Sequence, residues 1–284
     1  MNLERFQEKA LMGGVSKEEA LLLAGCGLDA LRFAADEIRR EVCGNGFDLC
    51  SIINGKSGRC PEDCKYCAQS AHYETNMEFY GLLGAEEILA AARENKRRGA
   101  RRFSIVTSGK RLTAKEVEKL CGIYRRIAAE CGIPLCASHG LLAGEQFAML
   151  REAGVERYHC NLESSRAYFP NVCTTHSYDD KITAIRRAQE AGLDVCSGGI
   201  IGMGETMEDR IDMALTLREL GVGSVPLNIL NPVAGTPFGT LRVISGEEAE
   251  RTAAIFRFIL PGAQIRLAGG RVNLRDRGAC CARA

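Results

Sequence analysis

The segment Val117-Glu-Lys-Leu-Cys-Gly-Ile-Tyr-Arg-Arg-Ile-Ala-Ala-Glu-Cys-Gly-Ile-Pro-Leu-Cys-Ala-Ser138 contains the pattern that decides the fold. Its apolar residues from Val117 to Ile127 recur at the spacing of one helical face. Gly132 follows as a C-terminal cap, and the apolar run Pro134–Ser138 is typical of a buried strand. The segment therefore predicts a helix that leads into one strand of a parallel sheet.

The same order of helix, glycine and apolar run is repeated along the chain. Strands that alternate with helices predict a parallel sheet with right-handed crossovers. The length of 284 residues suits one α/β domain of the closed (β/α)8 TIM-barrel type. Only seven strands are evident, and the chain ends in what we interpret as the helix before an eighth. The predicted strands are Leu49–Ile53, Phe103–Val106, Pro134–Ser138, Arg157–Leu162, Leu193–Ile200, Ser224–Ile229 and Ala263–Leu267.

We predict a single domain over residues 1–284, with an N-terminal helical cap over about 1–43. The net charge of +1 does not point to nucleic acid or to an anionic membrane surface. The sequence has no apolar run near the ~20 residues of a membrane span, and its charged start does not resemble a secretory signal. We therefore expect a cytoplasmic protein.

Fourteen cysteines need an explanation in such a chain, because disulfides are rare in a reducing compartment. Free cysteine packs as a small apolar residue. Cys121 and Cys131 share the apolar helical face described above, so we predict that they are core residues. Metal binding and catalysis remain as possible roles for other cysteines of the chain.

The chemical motif is Cys60-Pro-Glu-Asp-Cys64-Lys-Tyr-Cys67, which follows the first predicted strand. Thiolates hold iron–sulfur clusters, and three of them would leave one iron of a four-iron cluster open to a small molecule. Its place after a strand is where such a barrel has its active site. A zinc site with His72 as the fourth ligand and a chance group of cysteines are the alternatives.

The cysteine spacing resembles that of the radical S-adenosylmethionine (SAM) superfamily. The surrounding residues narrow the resemblance to the biotin synthase family, and the match runs in register from about Phe33 to the end. The matching blocks are Ser57–Ser70, Tyr158–Glu163, Val195–Thr206, Val225–Leu230 with Gly235–Pro237, and Ile265–Arg271.

This resemblance implies a [4Fe-4S] cluster and SAM as cofactors. SAM would be cleaved to a 5′-deoxyadenosyl radical, which would abstract hydrogens from two saturated carbons of dethiobiotin. Sulfur from an auxiliary iron–sulfur cluster would then close the ring of biotin. The resemblance also implies a flavodoxin- or ferredoxin-type electron donor and a homodimer.

The resemblance assigns SAM contacts to Tyr66, Asn161, Glu163 and Ile200. Tyr66 would contact the adenine, and loop packing is its alternative explanation. Asn161 and Glu163 alternate on a predicted strand, so we expect both side chains on one face. Glu163 would bind the ribose, although Asp is more usual in the family there. The glycine-rich stretch around Ile200 is also consistent with a simple turn.

The resemblance assigns substrate contacts to Asn228, Asn161 and His159. Asn228 lies in an apolar strand and should need a polar partner. The family resemblance implies that this partner is the ureido ring of dethiobiotin, and the alternative is a pair of backbone groups. Strand alternation predicts that His159 faces inward and that Cys160 is a packing residue.

The auxiliary cluster is where the sequence departs from the family. Typical members bind a [2Fe-2S] cluster through three cysteines and one arginine, and Cys136, Cys196 and Arg266 match three of these positions. Ser104 occupies the remaining cysteine position, and a serine oxygen is a poor ligand for iron. Cys50 stands where the family carries serine. We therefore predict that Cys50, Cys136 and Cys196 bind the cluster, with a four-iron variant containing extra sulfide as a hypothesis.

Two other functions stay open at this point. One is a different radical SAM enzyme on a related barrel, of the maturase or mutase type. The other is a non-catalytic cluster or zinc protein. The auxiliary ligands on separate strands favour sulfur insertion, because a mutase needs no sacrificial cluster.

Overall fold

The computed structural model describes residues 3–46, 49–279 and 281. Over these residues the α-helices are α1 (Leu3–Leu11), α2 (Lys17–Ala24), α3 (Leu28–Cys43), α4 (Ala85–Arg97), α5 (Ala114–Cys131), α6 (Gly144–Glu152), α7 (Tyr178–Glu190), α8 (Met207–Glu219) and α9 (Gly246–Ile259). The strands are β1 (Cys50–Lys56), β2 (Arg102–Thr107), β3 (Leu135–Ser138), β4 (Val155–His159), β5 (Asp194–Cys196), β6 (Gly199–Ile201), β7 (Ser224–Ile229) and β8 (Gln264–Leu267).

The chain divides into two compact units. The triad unit comprises Phe47–Cys160 and Cys173–Val195 and therefore carries the Cys60–Cys67 motif. The cap unit comprises Met1–Gly46, Asn161–Val172 and Cys196–Ala284.

The triad unit is built on four parallel strands, β1 to β4, which pair in sequence order. Helix α5 begins with a capping box at Thr113 and Glu116, and it ends at Gly132, which has a left-handed φ of 58°. Cys121 and Cys131 are both buried on this helix, so their prediction as core residues is confirmed. Strand order and helix position thus agree with the sequence pattern.

The cap unit has β7 at its centre. Cys196 of β5 pairs with Ser224, β6 pairs with β7 over Gly199–Ile201, and β8 pairs with β7 over Gln264–Leu267. All of these pairings are parallel. Helix α3 packs against α9, and α2 packs against α8.

All seven predicted strand positions carry a strand, with the predicted run Leu193–Ile200 divided into β5 and β6. Two expectations were wrong. The fourth strand ends at His159 instead of Leu162. Residues 268–279 form turns and the 3₁₀ segment Arg271–Asn273 instead of a final helix. Over the described residues, we find no helix with the length and hydropathy of a membrane span.

Candidate iron–sulfur and cofactor site

The three motif cysteines lie on one loop that closes on itself. The amide of Cys60 donates to Gln69 O at 2.9 Å, and Ala71 N donates back to Cys60 O at 2.7 Å. Inside the loop, Cys67 N donates to Cys64 O at 2.9 Å. These backbone bonds bring the ends of the motif together and hold its thiols on a compact segment.

Further hydrogen bonds fix the base of the loop. Gly58 N donates to Gln69 Oε1 at 2.9 Å, and Ser108 Oγ donates to Gly58 O at 2.8 Å. Gly58 has a φ of 77°, and a Cβ built there would overlap the ring of Phe79. Glycine is therefore required at this position, both for its backbone conformation and for the space that a side chain would need.

The motif cysteines are half-buried. Burial raises the pKa of the Cys60 thiol, while backbone hydrogen bonds at Glu62 and Gly109 oppose that rise. Three sulfur donors on one partly shielded loop match the ligand chemistry of an iron–sulfur cluster. The donor set therefore fits such a group, as the sequence predicted.

The segment between the first two cysteines is fastened to a distant part of the triad unit. The carboxylate of Asp63 accepts hydrogen bonds from Thr174 N at 2.8 Å, from Thr175 N at 3.2 Å and from the hydroxyls of both threonines. Asp63 N donates to Thr175 Oγ1 at 3.1 Å. Burial alone would raise the pKa of Asp63, but these bonds hold it well below its usual value.

Two residues beside this contact were not predicted as ligands. The Cys173 thiol donates to Asp63 Oδ1 at 3.1 Å and lies 3.2 Å from His176 Nδ1, which also contacts Glu62. The pKa of Cys173 is lowered to about 4, and the largest cause is the hydrogen bond between Cys173 and Cys64. Cys64, Cys173 and His176 place their ligand atoms within 4.8 Å of one another.

The zinc alternative named a different histidine. The ring of His72 is exposed, and its Nε2 lies 2.9 Å from Pro61 O. The histidine that lies near Cys64 is His176. Sequence spacing could not identify it, because more than a hundred residues separate it from the motif. Tyr66, the predicted adenine contact, is half-buried within the same loop.

In the cap unit, Asn161 and Glu163 lie next to each other, but not on a regular strand. Glu163 has a left-handed φ of 73°, which is uncommon for a residue other than glycine. Asn161 Nδ2 donates to Glu163 Oε2 at 3.4 Å, and Asn161 Oδ1 accepts from Gly198 N at 3.1 Å. Both side chains are buried, so their polar atoms are held in defined positions.

The glycines of this region allow close backbone packing. A Cβ at Gly199 would overlap Glu163 O, and Ile200 N donates to the same carbonyl at 2.9 Å. A Cβ at Gly198 would overlap Pro226 O. The glycine-rich stretch therefore has a structural reason within the cap unit, and its contact with SAM stays a prediction.

Asn228 has two backbone partners. Its Nδ2 donates to Gly199 O at 3.1 Å, and its Oδ1 accepts from Gly269 N at 2.8 Å. These two hydrogen bonds agree with the alternative explanation of Asn228, in which its partners are backbone groups. An amide oxygen has a second lone pair, so binding of a ureido N–H stays a prediction.

The predicted auxiliary ligands of the triad unit share one sheet face. Ser104 pairs with Cys136 and with Ile52, and Cys50 lies two residues before Ile52 on β1. Paired residues of parallel strands and residues two apart point to the same side. Ser104 and Cys136 are buried, while Cys50 is half-buried.

The predicted auxiliary ligands of the cap unit touch each other. Arg266 Nη2 donates to Cys196 Sγ at 3.0 Å, across the strand β7 that separates β5 from β8. His159, which is not one of the predicted auxiliary ligands, is half-buried. Its neighbour Cys160 is buried, in agreement with a packing role. Cys281 is buried, and Cys280 lies outside the described residues.

Comparison with known proteins places this geometry in a family. Residues 55–217 match the radical SAM superfamily, and residues 226–284 match the biotin and thiamin synthesis associated domain. The chain is 56% identical over 277 residues to biotin synthase of Clostridium botulinum strain Alaska E43, covering 97% of this chain and 87% of that protein. It is 52% identical to biotin synthase 2 of Corynebacterium diphtheriae, covering 99% and 86%.

Solved structures agree on the fold. Methylornithine synthase superposes with a TM-score of 0.84 at 21% identity, over 98% of this chain and 83% of that one. The hydrogenase maturase HydG of Carboxydothermus hydrogenoformans gives 0.81 at 20% identity, over 98% and 68%. The predicted TIM-type barrel class is thus confirmed, and the sequence identities show that the chain belongs to the biotin synthase family of radical SAM enzymes.

Proposed function

We propose that this chain converts dethiobiotin to biotin by radical SAM sulfur insertion. The observation that carries the proposal is the closed loop of Cys60, Cys64 and Cys67 in a chain 56% identical to a biotin synthase. When bound, the cluster and SAM supply a radical able to break unactivated C–H bonds. The task of the protein is to hold these groups in line and to exclude water.

The loop residues would hold the [4Fe-4S] cluster through three thiolates. The bonds at Cys60 and the fastening of Asp63 to Thr174 and Thr175 keep this loop in place. A ligand loop fixed before cofactor binding loses less conformational entropy when the cofactor arrives. Tyr66, in the same loop, is proposed to contact the SAM adenine.

Residues of the cap unit are proposed to complete the SAM and substrate contacts. The Glu163 carboxylate can accept two hydrogen bonds and would suit the ribose diol, with Asn161 and Ile200 beside it. Asn161, Asn228 and His159 are proposed to contact dethiobiotin. The buried carboxylate of Glu163 and its hydrogen bond from Asn161 support this assignment.

An auxiliary iron–sulfur cluster is proposed as the source of sulfur, with Cys50, Cys136, Cys196 and Arg266 as its ligands. In an ideal flat sheet, two strand spacings and a two-residue offset would separate the Cα atoms of Cys50 and Cys136 by roughly 12 Å. Neighbouring positions such as Ser104 and Cys136 would be only about 4.8 Å apart. The longer reach supports a cluster larger than [2Fe-2S], with four irons and extra sulfide.

The cellular setting follows from this chemistry. Clusters of this kind need a reductant, so we propose a flavodoxin- or ferredoxin-type donor and a location in the cytoplasm. A homodimer is proposed from the family resemblance alone.

The test is an anaerobic assay of the reconstituted chain with SAM, a reductant and dethiobiotin. Biotin formation supports the proposal, whereas SAM cleavage without biotin would favour a maturase or mutase type of reaction. Iron and sulfide analysis with Mössbauer spectra of Cys50→Ala then tests the auxiliary site. An unchanged auxiliary signal in that variant would refute the assignment of Cys50.

A further inference from the structure

We infer that Cys64, Cys173 and His176 form a site for a single thiophilic divalent ion, which shares Cys64 with the cluster loop. Their ligand atoms lie within 4.8 Å of one another, all in the triad unit. Zinc with tetrahedral S and N ligands needs separations of about 3.5–3.8 Å. Small side-chain rotations would therefore close the three donors around one ion.

The surroundings of the three donors suit an ion. Cys173 and His176 are buried, and the Cys173 sulfur lies 3.2 Å from His176 Nδ1. Glu62 is buried as well, and its Oε2 contacts the same ring nitrogen, so it is near enough to supply a fourth ligand. Two thiolates and one imidazole favour Zn²⁺ or Fe²⁺ over the hard cations Mg²⁺ and Ca²⁺.

The outer contacts of the site are already in place. Asp63 Oδ1 accepts from the Cys173 sulfur at 3.1 Å, and backbone amides of Thr174 and Thr175 hold that carboxylate. In the ion-free chain this hydrogen bond places the Cys173 sulfur near Cys64 and His176, and ion binding would replace its proton. Binding would release the two thiol protons to solvent, and no atom would change its oxidation state.

One consequence concerns the cluster. If Cys64 holds a single ion together with Cys173, it cannot at the same time hold an iron of the [4Fe-4S] cluster in the proposed arrangement. Ion and cluster would then exclude each other. This exclusion rests on the proposed function, because it needs Cys64 as a cluster ligand, whereas the ion site itself does not.

The test uses the full chain, reduced and freed of iron under anaerobic conditions, and Co²⁺ as the spectroscopic probe. Wild type should bind a Co²⁺ ion with the thiolate charge-transfer and intense d–d bands of a tetrahedral site. Cys60→Ala combined with Cys67→Ala removes the two triad thiols outside the ion site and should retain these bands, so this double variant is the matched control. Cys173→Ser and His176→Gln, each added to the double variant, should lose the bands.

Retention of the bands when Cys173→Ser is added to the double variant, or their loss in the double variant itself, would overturn the ion site. The exclusion is tested by loading Zn²⁺ before reconstitution with iron and sulfide. Zinc should slow cluster formation in wild type but not in Cys173→Ser, and equal rates would overturn it. Should Cys64→Ala still form the SAM-cleaving cluster, the ligand role of Cys64 in the proposed function fails, while the Co²⁺ result stands independently.

Discussion

Arg266 Nη2 lies 3.0 Å from Cys196 Sγ, so a guanidinium donates a hydrogen bond to the sulfur that we propose as an auxiliary cluster ligand. A positive charge beside a cluster stabilises its reduced, more negative state. We therefore expect Arg266 to affect the reduction potential of the proposed cluster.

The first prediction concerns this charge. Arg266→Met removes the proposed arginine ligand together with its positive charge and should therefore lower the reduction potential of the auxiliary cluster, where a change of about 1 kcal/mol corresponds to about 40 mV for one electron. Arg266→Lys keeps the charge and serves as the control, with a smaller shift. Potentiometric titration followed by visible and electron paramagnetic resonance spectra measures both. An unchanged potential in Arg266→Met would show that Arg266 does not act on the auxiliary cluster.

The second prediction separates ligand cysteines from core cysteines. Cys60→Ala should lose the iron of the SAM cluster and reductive SAM cleavage. Cys121→Ala, on the buried face of α5, should keep both and lose only about 1 kcal/mol of unfolding free energy through its cavity. Iron analysis and urea unfolding distinguish the two outcomes. Iron loss in Cys121→Ala would contradict its role as a core residue.

The third prediction tests the exchange of residue types between β1 and β2. The double variant Cys50→Ser, Ser104→Cys should place a thiol directly beside Cys136, because Ser104 and Cys136 are paired in the sheet. A closer thiol should favour a smaller cluster. Mössbauer spectra should therefore change towards a [2Fe-2S] signal, while Ser104→Ala alone should leave the spectrum of the native cluster as it is.

Particular residues show which features of the fold and of the site the sequence predicts. The helix–glycine–strand pattern predicted all seven strand positions, because burial of an apolar face is a local, periodic requirement. The Cys60–Cys67 loop was equally predictable, since its three ligands lie within eight residues. Cys121 was correctly predicted as core from helical spacing alone.

Other features depend on contacts that spacing does not encode. Cys173 approaches Cys64 only because the loop after residue 172 fastens to Asp63. The left-handed φ of Glu163 occurs where its carbonyl oxygen accepts from Ile200 N and where Gly199 leaves room for close backbone packing. A short loop hydrogen bond or a single φ value leaves no periodic trace in the sequence.

The fourth prediction concerns the fastening of the cluster loop. Asp63→Ala removes the acceptor of several hydrogen bonds from Thr174 and Thr175 and should cost about 2–3 kcal/mol of unfolding free energy. A looser loop should also release iron to a chelator faster. Asp63→Asn retains one acceptor oxygen and should lie between wild type and Asp63→Ala. Equal release rates in all three proteins would show that the fastening does not restrain the cluster loop.

The fifth prediction is a pH dependence of stability set by His139. This buried residue lies 2.9 Å from Tyr124 Oη and 3.0 Å from Thr107 Oγ1, and burial lowers its pKa to about 3. The unfolded state, with an ordinary histidine pKa of about 6.5, binds the proton more readily. The contribution of His139 is therefore complete above pH 6.5 and is lost as the pH falls from there towards 3.

Between pH 6 and 5 the slope should approach about 1.4 kcal/mol per pH unit from this one group. Carboxylates add to acid destabilisation mainly at lower pH, and comparison with His139→Gln separates His139 from the other three histidines. Urea unfolding of wild type and His139→Gln at a series of pH values measures it. The variant should be less stable at pH 7.5 but should show a flatter profile between pH 6.5 and 5, because a glutamine at position 139 cannot take up the proton. Parallel profiles would mean that another group carries the dependence.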